Sequence, residues 1–184
     1  MGEINFSDKE LLEQFRNEDS GNIAFSLIVK KYQRKLYYVC RRIVLNHDDA
    51  NDVIQEAFIN IWKALPQFRQ DAKLYTWMYR IVMNEALFFL KQKKADQNVR
   101  FDEIDPQLAE QLVDDPYFRG DEIQLLLQKA ILTLHEREGL VFNMKFFEHM
   151  KDEEIAEVLE ITEGAVRSHY HLSSKKIEKY LKTH

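Results

Sequence analysis

Apolar side chains recur every three or four residues through most of the chain, which is the period of an amphipathic helix. The clearest run lies between Asp48 and Leu65 and predicts a helix that Pro66 ends. A short polar loop, residues 67–73, separates it from a second periodic run over residues 74–90. The pattern therefore predicts two consecutive helices with a polar loop held between them.

Runs with the same period lie on either side of this pair. Ser7 and Glu10 form a capping-box pattern, which predicts a short helix near the N-terminus. A longer run over residues 23–45 predicts a helix whose apolar face alternates with lysines and arginines. The period disappears over residues 95–120, which contain two prolines and a glycine, and then returns.

This interruption divides the chain into two parts. We expect residues 1–94 to form an N-terminal helical bundle and residues 121–184 a C-terminal helix-turn-helix domain, joined by an acidic, flexible linker over residues 95–120. With 45% apolar residues, 5 glycines and 3 prolines in 184 residues, the chain has enough apolar residues for two cores and few signals for strands. The predicted fold class is all-α, with two small helical domains.

The composition also bears on location. The sequence contains no run of about eighteen apolar residues, and its N-terminus MGEINFSDKE lacks the basic start and apolar core of a signal peptide. We therefore expect a cytoplasmic protein without membrane insertion. The single Cys40 lies in an apolar helical stretch and predicts a buried structural thiol in a reducing compartment.

The net charge of −5 is distributed unevenly along the chain. Residues 31–95 carry 12 basic and 6 acidic side chains, whereas residues 96–123 carry 2 basic and 9 acidic ones. The basic surplus thus coincides with the predicted pair of helices, and the acidic surplus with the linker. Because few phosphates can be neutralised by such a chain alone, we expect the isolated protein to bind DNA weakly.

Aromatic and basic side chains cluster at the polar loop and the start of the helix that follows it. The aromatic members are Phe68, Tyr75, Trp77 and Tyr79, and the basic members are Arg69, Lys73 and Arg80. Exposed rings interleaved with cations suit unpaired bases, since every base has a face to stack and a phosphate to neutralise. The alternative is that these rings belong to the core, as helical aromatics usually do.

The last quarter of the chain has the spacing of a helix-turn-helix. Ile155, Ala156 and Leu159 mark its first helix, residues 160–162 its turn, and Thr162 the cap of the second helix. Val166 and Tyr170 are expected to face inward. The candidate DNA-binding residues are Thr162 and the expected outward residues Gly164, Ala165, Arg167, Ser168, His169, His171 and Lys175. Short side chains followed by hydrogen-bond donors are what a helix in the DNA major groove requires.

Taken together, these segments closely resemble the promoter-melting domain of bacterial sigma factors, specifically the extracytoplasmic-function group. The matching pieces are DDANDVIQEAFINIW, ALPQFRQDAKLYTW and YRIVMNEAL, in this order and followed by the helix-turn-helix. The resemblance covers roughly residues 7–94 and 121–180. It implies an N-terminal bundle of the sigma region-two type and a subunit that gives core RNA polymerase its promoter specificity.

The resemblance also implies roles for particular residues. The polymerase-docking residues would be Asp49, Asp52, Gln55, Glu56 and Asn60, for which an ordinary solvated helix face is the alternative. The residues that capture a base flipped out of the upstream promoter element would be Phe68, Arg69, Lys73, Tyr75, Trp77, Arg80 and Asn84. An anti-sigma factor is expected as a further partner, beside core RNA polymerase and promoter DNA.

Some positions depart from the pattern of these sigma factors. Phe88 and Phe89 replace an acidic and a basic residue, which favours additional packing there over polar contacts. Glu160 stands where a glycine is usual, and His169 where an arginine is usual. The loss of contacts in the helix-turn-helix predicts a modest affinity for DNA by that part alone.

No motif of an enzyme is present. His169 and His171 are two residues apart and point in different directions on a helix, so we expect no metal site, cofactor or small-molecule substrate. The main alternative to a sigma factor is a stand-alone helix-turn-helix regulator whose N-terminal bundle senses a ligand or dimerises. A helical adaptor that does not bind DNA is the third possibility.

Overall fold

The computed structural model describes residues 6–17, 19–96 and 122–184. Every regular element in these ranges is helical, and they contain no β-strand. The predicted all-α fold class is therefore confirmed for this part of the chain. The expected linker lies almost wholly outside the described residues. The chain folds as two compact units, Met1–Arg100 and Phe101–His184.

Four α-helices and one 3-10 turn form the described part of the first unit. They are α1 (Asp8–Phe15), α2 (Gly21–Val44), α3 (His47–Ala64), the turn Leu65–Gln67, and α4 (Leu74–Asp96). Helices α2, α3 and α4 all pack against one another, and α1 packs against α2. The apolar faces predicted from the sequence meet in a common core that includes Ile28, Leu36, Val53, Ile61, Met78 and Val82.

Local signals determine where these helices begin and end. The Ser7 Oγ accepts a hydrogen bond from the Glu10 N–H at 3.3 Å, and the Glu10 carboxylate accepts one from the Ser7 N–H at 2.7 Å, which confirms the capping box. Asn46 caps α3 by accepting from the Asp49 N–H at 3.0 Å. Helix α2 ends at Val44. The next residue, Leu45, caps it with a left-handed φ of 63°, and the Leu45 carbonyl accepts a hydrogen bond from Arg41.

Cys40 is fully buried inside α2, as the sequence predicts. Desolvation raises the pKa of its thiol to about 12, so the thiolate is disfavoured at neutral pH. The residue behaves as a small apolar core group.

Four helices form the described part of the second unit. They are α5 (Glu122–Leu132), α6 (Glu136–Phe146), α7 (Asp152–Leu159) and α8 (Glu163–Thr183). Helix α8 packs against the other three, and its Ile177 joins Ala130, Ile131, Leu134 and Phe142 in a buried cluster. The long helix α8 therefore organises the core of this unit.

A buried carboxylate stabilises the turn between α5 and α6. The Glu138 side chain accepts hydrogen bonds from Lys176 Nζ at 2.7 Å and from the His135 N–H at 3.3 Å. Burial opposes ionisation of Glu138, but these two contacts outweigh it and lower its pKa below the ordinary value. Glu138 thus links the start of α6 to the middle of α8.

Candidate nucleic-acid interfaces

Phe68 is buried, contrary to the expectation that it is an exposed ring of the loop. Its side chain is 7% exposed, and its ring centroid lies 4.9 Å from that of Trp77. The Phe68 N–H donates to the Leu65 carbonyl at 3.1 Å, so the turn that begins at Leu65 delivers Phe68 to the bundle while Pro66 stays exposed. Tyr79, at 1% exposure, is likewise part of the core.

The remaining candidates on α4 lie on two different sides of the helix. Lys73, which directly precedes α4, and Trp77, Arg80 and Asn84 follow one another at helical spacing. They fall within about 60° of one another at about 100° per residue. Lys73 and Asn84 are exposed, and Trp77 and Arg80 are half-buried. We call these four residues the α4 face. Arg69 is exposed in the loop before it.

Tyr75 lies away from the α4 face. It precedes Asn84 by nine positions, which places the two about 180° apart around the helix axis. Its ring stacks on Tyr32 of α2, with centroids 5.7 Å apart and planes inclined by 27°. The structure therefore does not bring all of the predicted base-capturing residues together.

The helix-turn-helix forms where the sequence predicts it, as α7 and α8. Thr162 caps α8 by accepting a hydrogen bond from the Ala165 N–H at 3.2 Å. Glu160 ends α7 in the left-handed region, with φ of 54°, which explains why a glycine suits this position. Val166 is buried and Tyr170 half-buried, so both face inward as predicted.

The exposed side of α8 contains the residues predicted to face outward, except for two at the border of the buried stripe. Four of the expected residues form a continuous exposed stripe along α8, namely Gly164, Ser168, His171 and Lys175. Ala165 and His169 are half-buried, and the His169 Nδ1 is inaccessible and has no hydrogen-bond partner among the described residues. His169, which the sequence places outward, is only partly exposed, because it lies three residues after Val166, beside the buried stripe.

Arg167 is exposed and is held by two acidic side chains. Its guanidinium lies 3.3 Å from Glu163 and 3.6 Å from Asp152. Hydrogen bonding to Lys145 is the main cause that lowers the pKa of Asp152, and Arg167 adds to it. Ion pairs this exposed contribute little stability, so these two contacts hold Arg167 only weakly.

Helix α3 presents only part of the predicted polymerase-docking set to solvent. Asp52, Gln55 and Glu56 are exposed. The other two are half-buried and contact α4: Lys93 Nζ lies 2.5 Å from the Asp49 carboxylate, and the Asn60 amide donates to Glu85 at 2.8 Å. The expectation that Asn60 belongs to the solvated face is therefore wrong, since it forms a hydrogen bond between two helices.

The sequence pattern did not reveal an apolar component of the same surface. A groove of about 730 Å³ runs between α2 and α3, and Tyr38 and Ile59 on its walls are each 45% exposed. Their signal in the sequence was weak, because each is one apolar residue at the margin of an otherwise predicted buried stripe. Exposed apolar side chains beside the carboxylates of α3 indicate a protein-binding surface.

Phe88 also departs from expectation. It is 57% exposed and does not supply the additional packing that the sequence suggested. Phe89 is half-buried beneath Lys93, whose Nζ lies 5.8 Å from the ring centroid.

The described residues form neither a metal-binding cluster nor a membrane span. In the ranges 6–17, 19–96 and 122–184, no group of three or more His, Cys, Asp or Glu side chains is arranged to hold a metal ion. Over the same ranges no helix has both the length and the apolar character needed to cross a membrane.

Comparison with known proteins identifies both units. The family model described as Sigma-70 region 2 matches residues 28–95, and the model described as Sigma-70, region 4 matches residues 124–177. The RNA polymerase sigma-H factor of Pseudomonas aeruginosa is 34% identical over 182 residues, which cover 95% of this chain and 93% of that protein. The extracytoplasmic-function RNA polymerase sigma-E factor of Escherichia coli is 31% identical over 170 residues, covering 88% and 87% of the two chains.

The chain belongs to the extracytoplasmic-function sigma factors. This assignment confirms the resemblance seen in the sequence and does not favour the stand-alone regulator. Among solved structures, the sigma factor RpoE of Bartonella quintana, in complex with the anti-sigma factor NepR, has a TM-score of 0.70. It is 16% identical and covers 86% of this sigma factor and 96% of its own chain, a likeness that shows the fold.

Proposed function

We propose that this sigma factor opens promoter DNA by capturing an unpaired base on the α4 face. The supporting observation is that Trp77, Arg80 and Asn84 share one side of a helix that packs against both α2 and α3. Met78, Val82 and Ala86 are each 0% exposed, so the helix axis is fixed by packing. Side chains on such a helix are held in place before DNA binds, which reduces the cost of ordering them.

Trp77 is proposed to supply the stacking surface in place of Phe68. Its ring is half-buried and is backed by the buried Phe68 ring at 4.9 Å. Extruding a base costs a few kcal/mol, and stacking on an aromatic ring recovers about 1–3 kcal/mol. Contacts from Asn84 and Arg80 to the base and backbone would contribute the remainder, so strand separation is driven by binding alone.

The second unit is proposed to read a more distant promoter element. The stripe formed by Gly164, Ser168, His171 and Lys175 has small side chains near the start of α8 and donors further along. Arg167 lies beside this stripe. Short side chains allow the helix to approach base edges in the major groove, and Arg and Lys supply contacts to guanine or phosphate.

Docking on core RNA polymerase is proposed to use α3 and the groove beside it. Asp52, Gln55 and Glu56 supply polar contacts, and Tyr38 and Ile59 supply apolar area. We further propose that an anti-sigma factor covers the same surface. Ile59→Ala is then expected to weaken binding of both the core enzyme and an anti-sigma factor. If the variant loses affinity for only one of them, the two partners use different surfaces.

Two weak DNA contacts on one polymerase become jointly tight, because the second forms at a high effective concentration. This sigma factor is proposed to act in the cytoplasm. It is expected to bind promoter duplex poorly by itself and to bind it specifically once core enzyme is present.

The test is in vitro transcription by purified core enzyme from the same organism over a library of randomised promoters, with and without this chain. Selection of a common pair of sequence elements only when the chain is present supports the proposal. Selection of a palindromic site by the chain alone, with a dimer in light scattering, would favour a stand-alone regulator.

A further inference from the structure

The guanidinium of Arg167 lies between two carboxylates at the start of α8. Its Nη1 donates to the Glu163 carboxylate at 3.3 Å and lies 3.6 Å from the Asp152 carboxylate. Glu163 is the first residue of α8, one turn before Arg167, and Asp152 is the first residue of α7. Both helices of the helix-turn-helix thus supply an acidic partner. We call Asp152, Glu163 and Arg167 the Arg167 cluster.

Asp152 is the better fixed of the two carboxylates. Its side chain is 23% exposed, whereas that of Glu163 is 55% exposed. Its second oxygen accepts a hydrogen bond from Lys145 of α6. The negative charge beside Arg167 is therefore held in place by the packing of the unit and does not depend on the exposed Glu163 side chain alone.

The charge around the Arg167 cluster is the opposite of what duplex DNA attracts. Residues 151–167 contain six acidic and two basic side chains. One of the two cations, Lys151, lies 3.4 Å from Glu153, and the other is Arg167. Because DNA is a dense row of phosphates, a segment with this balance contributes little electrostatic attraction to it.

Movement of Arg167 from its carboxylates to a phosphate exchanges one ion pair for another. A cation that contacts DNA normally strengthens binding, because counterions leave the phosphates. Here the carboxylates that Arg167 leaves take up counterions from solution, so the net release is close to zero. Since exposed ion pairs are individually weak, the opposition to binding is modest and is overcome at a high effective concentration of DNA.

Resting on the proposed reading of promoter DNA by the second unit, we propose that Asp152 and Glu163 form an autoinhibitory contact that withholds Arg167 from DNA. The contact lowers the affinity of the second unit for any duplex. In holoenzyme, the first unit brings the second to its site at a high effective concentration and compensates for this loss. The free chain lacks that compensation, and its affinity for duplex DNA stays low.

The test is a double-mutant cycle in holoenzyme made with the full chain. The probe is a duplex that carries only the more distant of the two elements that the holoenzyme selects, so melting by the first unit does not contribute. Fluorescence anisotropy measures its affinity over a series of salt concentrations. The carboxylate variants are Glu163→Gln and the double variant Asp152→Asn with Glu163→Gln, each made with and without Arg167→Ala.

With Arg167 present, the double variant is expected to bind the duplex about five-fold more tightly than wild type, and Glu163→Gln about two-fold. The double variant is also expected to increase the dependence of log affinity on log salt by about one, because Arg167 then makes a phosphate contact with full counterion release. In the Arg167→Ala background, both carboxylate variants are expected to lose these gains. The free chain at low salt should show the same order of affinities.

Glu153→Gln is the matched control. Glu153 is an exposed carboxylate in the same first turn of α7 as Asp152, and its ion pair is with Lys151 rather than Arg167. Its removal reduces general repulsion from DNA without releasing Arg167, so any gain in affinity should be the same with and without Arg167→Ala. Circular dichroism and binding to core enzyme verify folding, and Glu163→Gln supplies the cycle should Asp152→Asn fail to fold.

Two results would overturn this inference and leave the proposed function in place. In one, neither carboxylate variant binds the duplex more tightly than wild type. In the other, the gain is the same with and without Arg167→Ala, which would show simple repulsion between carboxylates and phosphates. If wild-type holoenzyme does not prefer this duplex to a scrambled one, reading of the distant element by the second unit falls as well.

Discussion

The two helices proposed to contact DNA, α4 and α8, differ in how they are embedded. Helix α8 is buried along one stripe, which contains Val166, Ser173 and Ile177, and its opposite side is exposed. Helix α4 packs against both α2 and α3, and Phe68 covers part of its start. Its buried residues consequently extend around much of its circumference.

This difference decides what the sequence can predict. A helix with one buried stripe has its functional face on the other side, so the period alone identifies it, as for Ser168 and Lys175. A helix with several packing partners leaves only narrow exposed strips, and an aromatic residue on it cannot be assigned to core or surface from spacing. Spacing could not assign Tyr79 for this reason, whereas Phe68 lies in the loop and is buried through the turn Leu65–Gln67 that precedes it.

The largest expected effect tests the buried position of Phe68. Phe68→Ala is predicted to lower the free energy of unfolding of the first unit by about 3 kcal/mol, because it removes a buried ring and leaves a cavity. Phe88→Ala, at a position that is 57% exposed, is predicted to cost less than about 0.5 kcal/mol. Both tryptophans, Trp62 and Trp77, lie in this unit, so urea unfolding followed by tryptophan fluorescence reports on it. Equal losses in the two variants would contradict the assignment.

The second prediction concerns α8 and its link to α6. Glu138→Gln is predicted to lower the stability of the second unit by about 1–2 kcal/mol, since it weakens the contacts with Lys176 and the His135 N–H. Glu136→Gln, at an exposed position in the same turn, is the control and should change little. Thermal unfolding followed by circular dichroism measures both.

The pH dependence of this difference has a definite sign. Because the pKa of Glu138 is lowered in the folded state, its stabilising effect is complete above the ordinary carboxylate pKa and is lost as the pH falls through the lowered folded value. The gap between wild type and Glu138→Gln should therefore close in acid. A gap that persists unchanged at low pH would show that charge is not its cause.

A smaller effect is expected at the turn of the helix-turn-helix. Glu160→Gly is predicted to stabilise the second unit by about 1 kcal/mol, because glycine adopts the left-handed φ of 54° without steric cost. Glu157→Gly, within α7, is predicted to destabilise it by about 1 kcal/mol. Thermal unfolding measures the two changes in stability. Opposite signs would separate the backbone effect from the loss of a charge, whereas a loss of stability in both variants would refute the backbone explanation.

The sequence predicted the helices and the helix-turn-helix well, because periodicity, the Ser7 and Thr162 caps and Pro66 are local signals. The contacts of Asp49 with Lys93 and of Asn60 with Glu85 join residues 44 and 25 positions apart, and no local pattern encodes them.

The sequence already contained the information that the predicted base-capturing residues lie on two sides of α4. Asn84 follows Tyr75 by nine positions, which already places them on opposite sides of a helix. The aromatic and basic composition of the loop predicted a single cluster, although the spacing of Tyr75 and Asn84 already indicated two sides of the helix. The exposed sides of Tyr38 and Ile59 became evident only from the packing of α2 on α3.

The measurement that tests base capture on the α4 face most directly compares Asn84→Ala with wild type on two templates, using transcription by the reconstituted holoenzyme. One template is duplex promoter and the other carries a preformed bubble over the same element. We predict that the variant, folded and bound to core enzyme, is at least about ten-fold less active on the duplex and close to wild type on the bubble. Equal activity of variant and wild type on the duplex would contradict the account.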